Sequence, residues 1–307
     1  MTLGVLLSGQ GGQHPGMFDL TADWPPAAPV FAAAERVLGH DPRAFVHAPE
    51  ADLHGNRTGQ ILCCVAALAG WTLVQAAHPA RTIVAGYSIG DLAAWGCVGC
   101  FDAETILRLA ATRAEAMDAA AGDGAGLAGI RGLAIAAIET LAAAHGCALA
   151  IRNASDSAVI GGPSPALETL CDEALAAGAL RAVVLPVRTP SHTPLLHEAS
   201  RRFEGALAEM HPVRPPPGAP RLISGLDGAP IFDPQAGLSK LAHQISHTID
   251  WAACLEACRE YGCDTILELG PGHALATMAR NAIPEARVHA LDEFRSASGV
   301  AEWIGGR

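Results

Sequence analysis

The chain has 307 residues, half of them hydrophobic and 17% charged, and a net charge of −11. That is enough apolar material for a large core spread over roughly two domains of about 150 residues, and it excludes a disordered chain. The acidic balance argues against nucleic acid as a partner, and the sole lysine, Lys240, leaves no GK[ST] phosphate loop and little scope for Schiff-base chemistry.

In chain order, residues 3–8 read as a short buried strand ending in Gly9-Gln10-Gly11-Gly12. The start lacks a basic n-region and a long apolar h-region, so no signal peptide is expected. Residues 61–77 form the longest apolar run. Thr72 and Gln75 break it, and it is shorter than the about 20 residues of a membrane span, so it reads as a buried core helix. A second strand, 82–86, runs into Gly86-Tyr87-Ser88-Ile89-Gly90 and then a helical stretch. A further helix begins near Ala103 and carries Arg113. A third strand, 265–269, ends in Gly270-Pro271-Gly272. Strands alternating with helices predict a parallel sheet, with the site in the loops at the carboxyl ends of the strands.

The segment 122–187 has a different rhythm. Strands are expected at 126–133, 147–152, 157–161 and 180–187, with helices at 135–144 and 165–177. That βαββαβ order is ferredoxin-like. The expected fold is therefore α/β: a large α/β-hydrolase-like domain with a parallel sheet and a nucleophile elbow (1–121 and 188–307), with a small ferredoxin-like domain (122–187) inserted. The proline-rich stretch 214–218 reads as a surface loop of the large domain. Nine cysteines, odd in number and in apolar surroundings, read as reduced thiols of a cytoplasmic protein. The spacings Cys97–Cys100 and Cys254–Cys258 lack the matching second pair that zinc wants, so no metal is expected.

The G-x-S-x-G between a strand and a helix is the context of a nucleophile elbow, and it makes Ser88 the candidate nucleophile. Flanking glycines allow the sharp turn, and the Ile89 N–H at the helix start can face a developing oxyanion. A helix-capping serine uses the same residue types. A serine nucleophile needs a base. Among 13 histidines, His192 stands out because Pro190 and Pro194 fix its loop just after the last small-domain strand, although a solvated loop histidine fits that position too. The acid of a hydrolase triad would fall between serine and histidine, where Asp156 and Asp172 are unconvincing. Gly9 and Gly11 lack the third glycine of a dinucleotide fingerprint. A Gly-flanked Gln10 better supplies a second backbone N–H to the oxyanion.

These residues together resemble the malonyl-CoA:acyl-carrier-protein transacylases nearly end to end, and most closely the malonate decarboxylase epsilon branch. Gly9-Gln10-Gly11-Gly12-Gln13 is similar to the family's GQGxQ loop, and the segment 86–91 to its GHSxGE elbow. Arg113 matches the carboxylate-binding arginine, and Pro190-Ser191-His192 the catalytic histidine. Gln244, upstream of Trp251, matches the residue whose main-chain carbonyl orients that histidine. The segment 268–273 matches the C-terminal GPG turn. Asn153 resembles a substrate-facing position, and an Asx turn is its plainer reading. Tyr87 stands where His is usual and Asp91 where Glu is usual. Tyr87 and the segment 191–196 point to the decarboxylase branch.

The resemblance implies ping-pong malonyl transfer from malonyl-CoA to an acyl carrier protein through a malonyl-Ser88 ester, with the coenzyme A thioester as substrate and no bound cofactor. The expected carrier is the malonate decarboxylase carrier subunit. The alternatives are the transacylase of fatty acid synthesis and, more distantly, a serine carboxylesterase or a silent scaffold. Neither nucleic acid nor membrane is expected as a partner. An Arg buried at 113 is costly unless it meets an anion, and its planar fork suits the free carboxylate of malonate. A salt bridge to Glu104, Glu115 or Asp118 is the alternative. Arg188, Arg201 and Arg202 flank the His192 loop and are candidates for carrier docking.

Overall fold

A computed structural model describes residues 1–122 and 124–306; Asp123, at the expected domain entry, and Arg307 lie outside the described residues. Among the described residues ten strands form two sheets: β1 Leu3–Leu7, β2 Thr82–Gly86, β3 Ala125–Arg131, β4 Ala148–Ala154, β5 Ser157–Pro163, β6 Arg181–Val184, β7 Arg221–Ile223, β8 Ile249–Asp250, β9 Thr265–Leu269 and β10 Arg287–Ala290. The larger sheet has the order β10-β9-β1-β2-β7 and every pairing in it is parallel. Strands β1, β2 and β9 are buried at every position, as expected of continuous apolar runs covered by helices on both faces.

The in-register pairing positions the site. Leu7, the last residue of β1, lies opposite both Gly86 and Leu269, the last residues of β2 and β9. Three loops therefore leave the sheet side by side at one level: the glycine-rich loop after β1, the elbow after β2 and the Gly270-Pro271-Gly272 turn after β9. This is the edge at which open parallel sheets place their ligands.

The core on one side of this sheet is built around the helix Asn56–Val74, in which 15 of 19 residues are buried. It packs against the helices Ile89–Cys97 and Ala103–Ala120. By length and composition it resembles a membrane span, but its apolar surface is enclosed by the protein's own helices.

The second sheet has the order β6-β3-β5-β4-β8. Its β3, β5, β4 and β6 pair antiparallel, with the helices Ile135–Ala144 and Ser164–Ala176 against one face. The element order β3-helix-β4-β5-helix-β6 follows the sequence pattern. Three details differ. β6 spans only Arg181–Val184 of the expected 180–187, with one further backbone bond from the Leu185 N–H to the Leu127 carbonyl of β3 at 2.8 Å. β4 runs on to Ala154, so Asn153 belongs to the strand rather than to the turn. The two-residue β8, which lies far outside 122–187, adds to this sheet parallel to β4, with Ile151 opposite Ile249 and an Arg152–Asp250 ion pair of 3.0 Å. Short β7, β8 and β10 carry too few residues for a period of two to register.

Candidate active site

The elbow is made by close backbone approach. A Cβ added to Gly90 would lie 2.2 Å from the Leu7 carbonyl oxygen, so only glycine lets the helix Ile89–Cys97 start this close to β1. Ser88, at the apex, has φ 56° and ψ −118°. The turn is held by Tyr87 N–H donating to the Leu7 carbonyl at 2.9 Å and Gly90 N–H donating to the Tyr87 carbonyl at 3.0 Å. The Ser88 side chain makes no capping bond to the helix it precedes, which removes the capping-serine reading.

Its partner is His192. The Ser88 Oγ and His192 Nε2 are 2.9 Å apart. His192 also has a left-handed backbone, with φ 64°. Two consecutive carbonyls just past the end of the helix Pro234–His243 fix it: the His192 backbone N–H donates to the Ile245 carbonyl at 2.8 Å, and Nδ1–H donates to the Gln244 carbonyl. Helix ends leave such carbonyls free. The bond at Nδ1 selects the tautomer whose Nε2 lone pair faces the Ser88 hydroxyl. Among the described residues no carboxylate bonds to the His192 ring, Asp156 and Asp172 included. Burial, reinforced by the positive Arg113, pushes the His192 imidazole down to about 3, so the ring is neutral and able to accept a proton at physiological pH.

Arg113 is 1% exposed, on the helix Ala103–Ala120. None of the three carboxylates weighed from the sequence reaches it. Glu104 pairs with Arg36 and Arg108, Glu115 with Arg57, and Asp118 accepts from Asn56. Its one side-chain partner among the described residues is Gln60, whose Oε1 accepts from Nη1 at 2.7 Å. Nε and Nη2 are buried without a partner among the described residues. These two nitrogens point their N–H bonds the same way and form one edge of the guanidinium fork, the edge that binds a carboxylate with two parallel hydrogen bonds. Burial pushes Arg113 down to about 10, which still leaves it charged at neutral pH.

Gln60 was not singled out in the sequence, where it only precedes the apolar run. It is fully buried, and its amide donates to Asn56 Oδ1 at 2.8 Å, so its oxygen is turned toward Arg113. A lone glutamine at the start of a buried apolar helix was the available signal.

The loop after β1 lies against the elbow: a Cβ on Gly9 would sit 2.9 Å from the Tyr87 carbonyl oxygen. Neither the Gln10 nor the Ile89 backbone N–H has a hydrogen-bond partner among the described residues. Asn153 makes no Asx turn with its Oδ1, which instead accepts from the Tyr87 hydroxyl at 3.1 Å; the Tyr87 ring packs edge-on against Trp251 at 5.3 Å. Two further carboxyls are buried beside the site. Asp91 accepts from the Gln244 amide at 2.8 Å. Glu268 accepts from Ser8 Oγ and from the Ala276 N–H, both at 2.7 Å, tying β1 to the turn after β9. Burial pushes each of them up to about 7. Among the described residues no group of three His, Cys, Asp or Glu side chains is placed to hold a metal.

A serine with a neutral, oriented imidazole, two free backbone N–H groups and a buried cation with an open fork is a set for acyl transfer from an anionic acyl donor. Comparison with known proteins agrees. Residues 5–286 match the acyl transferase domain family. The malonyl CoA-acyl carrier protein transacylase of Escherichia coli strain K12 is 30% identical, over 96% of this chain and 97% of that protein. The acyl-carrier-protein S-malonyltransferase of Burkholderia pseudomallei is 27% identical with a TM-score of 0.91, covering 98% of this chain and all of the other. A malonyl-transacylase solved in complex with its type II PKS acyl-carrier protein is 25% identical with a TM-score of 0.92 over the full length of both chains. The fold, the dyad and these relatives together identify the chain as an acyltransferase that belongs to the acyl transferase domain family, among the malonyl-CoA:acyl-carrier-protein transacylases.

Proposed function

We propose that the protein moves malonyl from malonyl-CoA to the thiol of an acyl carrier protein by a ping-pong route. Ser88 Oγ attacks the thioester carbonyl while His192 Nε2 takes the hydroxyl proton. The tetrahedral oxyanion is met by the N–H groups of Gln10 and Ile89. The C–S bond breaks, CoA leaves with the proton from His192, and a malonyl-Ser88 ester remains. The carrier thiol then gives its proton to His192 and attacks the ester, and Ser88 regains its proton as the C–O bond breaks. The coenzyme A thioester is a substrate, and no step calls for a bound cofactor.

The observation that carries this reading is the open edge of Arg113. Two buried, charged donors without partners are expensive to leave unmade, and the distal carboxylate of malonate supplies two acceptors in one plane. Adding malonyl-CoA should raise the intact mass by one malonyl group, and Ser88→Ala should abolish the gain. Near-native transfer by Ser88→Ala would remove the covalent scheme, and fast release of free malonate in place of transfer would make the protein an esterase.

The relatives' names support the alternative, the malonyl-CoA:acyl-carrier-protein transacylase of fatty acid synthesis, better than the malonate decarboxylase branch. Tyr87 in place of the usual His, together with the segment 191–196, is what favours the decarboxylase carrier, by resemblance of sequence. Relative rates of malonyl transfer to a fatty-acid-type carrier and to a malonate decarboxylase carrier subunit discriminate the two. All nine cysteines are free and eight are buried, which suits a reducing cytoplasm.

A further inference from the structure

Asp91 is 2% exposed and stands in the first turn of the helix that begins at Ile89. Its backbone N–H donates to the Ser88 carbonyl at 3.0 Å, so its carboxylate is carried by the nucleophile's own turn. That carboxylate accepts from Gln244 Nε2 at 2.8 Å. The main-chain carbonyl of the same Gln244 holds His192 Nδ1–H, and His192 Nε2 meets Ser88 Oγ. Ser88, His192, Gln244 and Asp91 therefore form a closed ring, three of its links hydrogen bonds and the fourth a single turn of helix.

Gln244 is fully buried at the end of its helix, where carbonyls are no longer pinned by the next turn. Its Oε1 has no partner among the described residues, so the Asp91 bond is its one side-chain anchor there. Without that bond the amide loses its fixed direction, and the peptide that aims at His192 is left with a single long bond, from the Ile245 N–H to the Ala242 carbonyl at 3.2 Å, to set its tilt.

We propose that Asp91 is a positioning residue for the base, holding the Gln244 side chain so that the Gln244 carbonyl stays on the His192 ring. The inference rests on the transacylase reading only for its kinetic consequence. Asp91 touches no reacting atom. It acts on the angle at which Nε2 meets the serine hydroxyl, and therefore on proton transfer rather than on substrate affinity.

Three variants test this. Asp91→Asn keeps an oxygen acceptor opposite Gln244 Nε2 and should stay within a few-fold of the native kcat. Asp91→Ala removes the acceptor and should lower kcat by about 10- to 100-fold, the worth of one hydrogen bond to a charged group, with KM for malonyl-CoA unchanged. Rates are expressed per Ser88 that can be acylated, so partial misfolding does not enter. The proton NMR signal of His192 Nδ1–H, assigned by its loss in His192→Ala, should persist in Asp91→Asn and shift or broaden in Asp91→Ala. If Asp91→Ala fails to fold, Gln244→Met removes the same bond from the other side with the same expected outcomes. A native resonance together with native kcat in either truncated variant overturns the proposal. The resonance is read without substrate, so a wild-type protein that never forms a malonyl ester would sink the transacylase reading and still leave the role of Asp91 decidable.

Discussion

Ser88 and His192 are the only two non-glycine residues, among those described, with φ in the left-handed region, at 56° and 64°, and their side chains meet at 2.9 Å. Such backbone costs of order 1–3 kcal/mol per residue and persists where the surroundings over-determine it. Here they do: the elbow is pinned to β1, and the His192 loop to the Gln244–Ile245 carbonyls. The strain sits on both sides of one hydrogen bond, which ties it to the alignment of nucleophile and base.

Ser88→Gly should therefore be more stable than Ser88→Ala by about 1 kcal/mol, because glycine adopts positive φ without a Cβ clash. Both variants lose the same hydroxyl and the same bond to His192, so their difference isolates the backbone. Urea midpoints at constant m-value measure it. Equal midpoints would mean that the elbow stores no strain at Ser88.

Arg113 governs selectivity. Malonyl has the carboxylate that the open Nε and Nη2 edge awaits, and acetyl lacks it. Losing a desolvated bidentate charge pair costs about 2–5 kcal/mol, or roughly 30- to several-thousand-fold in rate. Arg113→Ala should lose malonyl transfer by that factor and acetyl transfer far less. Arg113→Lys should also be poor, because a point charge cannot reproduce the fork and leaves the Gln60 oxygen misdirected. The measurement is kcat/KM for malonyl-CoA and acetyl-CoA in all three proteins. A parallel fall for both substrates would make Arg113 a structural residue.

Carrier docking has to overcome a net charge of −11, since carrier proteins are generally acidic. Arg201 and Arg202 are exposed on the helix His197–Ala208, and both pair with Glu198, which leaves one net positive charge among the three. Arg188 is exposed at the foot of the same loop. R201E with R202E should slow acylation of the carrier and spare formation of malonyl-Ser88 from CoA. Glu198→Gln should speed the carrier half-reaction at low salt, by unmasking both arginines. Stopped-flow rates of the two half-reactions check this, and unchanged carrier rates in both variants would move the docking surface elsewhere.

Glu268 makes stability depend on pH. Burial raises its folded carboxyl to about 7 from an ordinary 4.5. The stability it contributes is fully present below the unfolded value and is lost as pH rises through the folded one, by up to about 3 kcal/mol between pH 4.5 and 7. Glu268→Gln keeps an acceptor for the Ala276 N–H and a polar partner for Ser8 but does not titrate. Relative to this variant, the wild type should lose Tm from pH 5 to pH 8. Taking the difference cancels the opposing titration of His192 and the parallel one of Asp91. A constant difference across that range would mean that Glu268 has no raised pKa.

The sequence by itself determined what is local. Short, mainly apolar runs that lead within two residues into a glycine specify β1, β2 and β9, and Gly86 and Gly90 specify the elbow, because the backbone approaches both positions too closely for a Cβ. The alternation within 122–187 specified the small sheet for the same reason: strand and helix periods are short-range properties. Tertiary structure decided what lies between segments. Whether Arg113 met Glu104, Glu115, Asp118 or a ligand depended on which helix packed beside it, and the answer, Gln60 with an open fork, comes from a segment far away in the chain. Asn153 reads as a turn residue until Tyr87 reaches it from the other sheet, and β8 is too short to be seen until β4 offers it a ladder. Gln244 illustrates the division most plainly: its resemblance-derived role rests on a backbone carbonyl that every residue possesses, and only the packing of its side chain on Asp91 gives that carbonyl a fixed direction. Side-chain hydrogen bonds inside a core form between whatever surfaces the fold brings together, and no spacing along the chain encodes them.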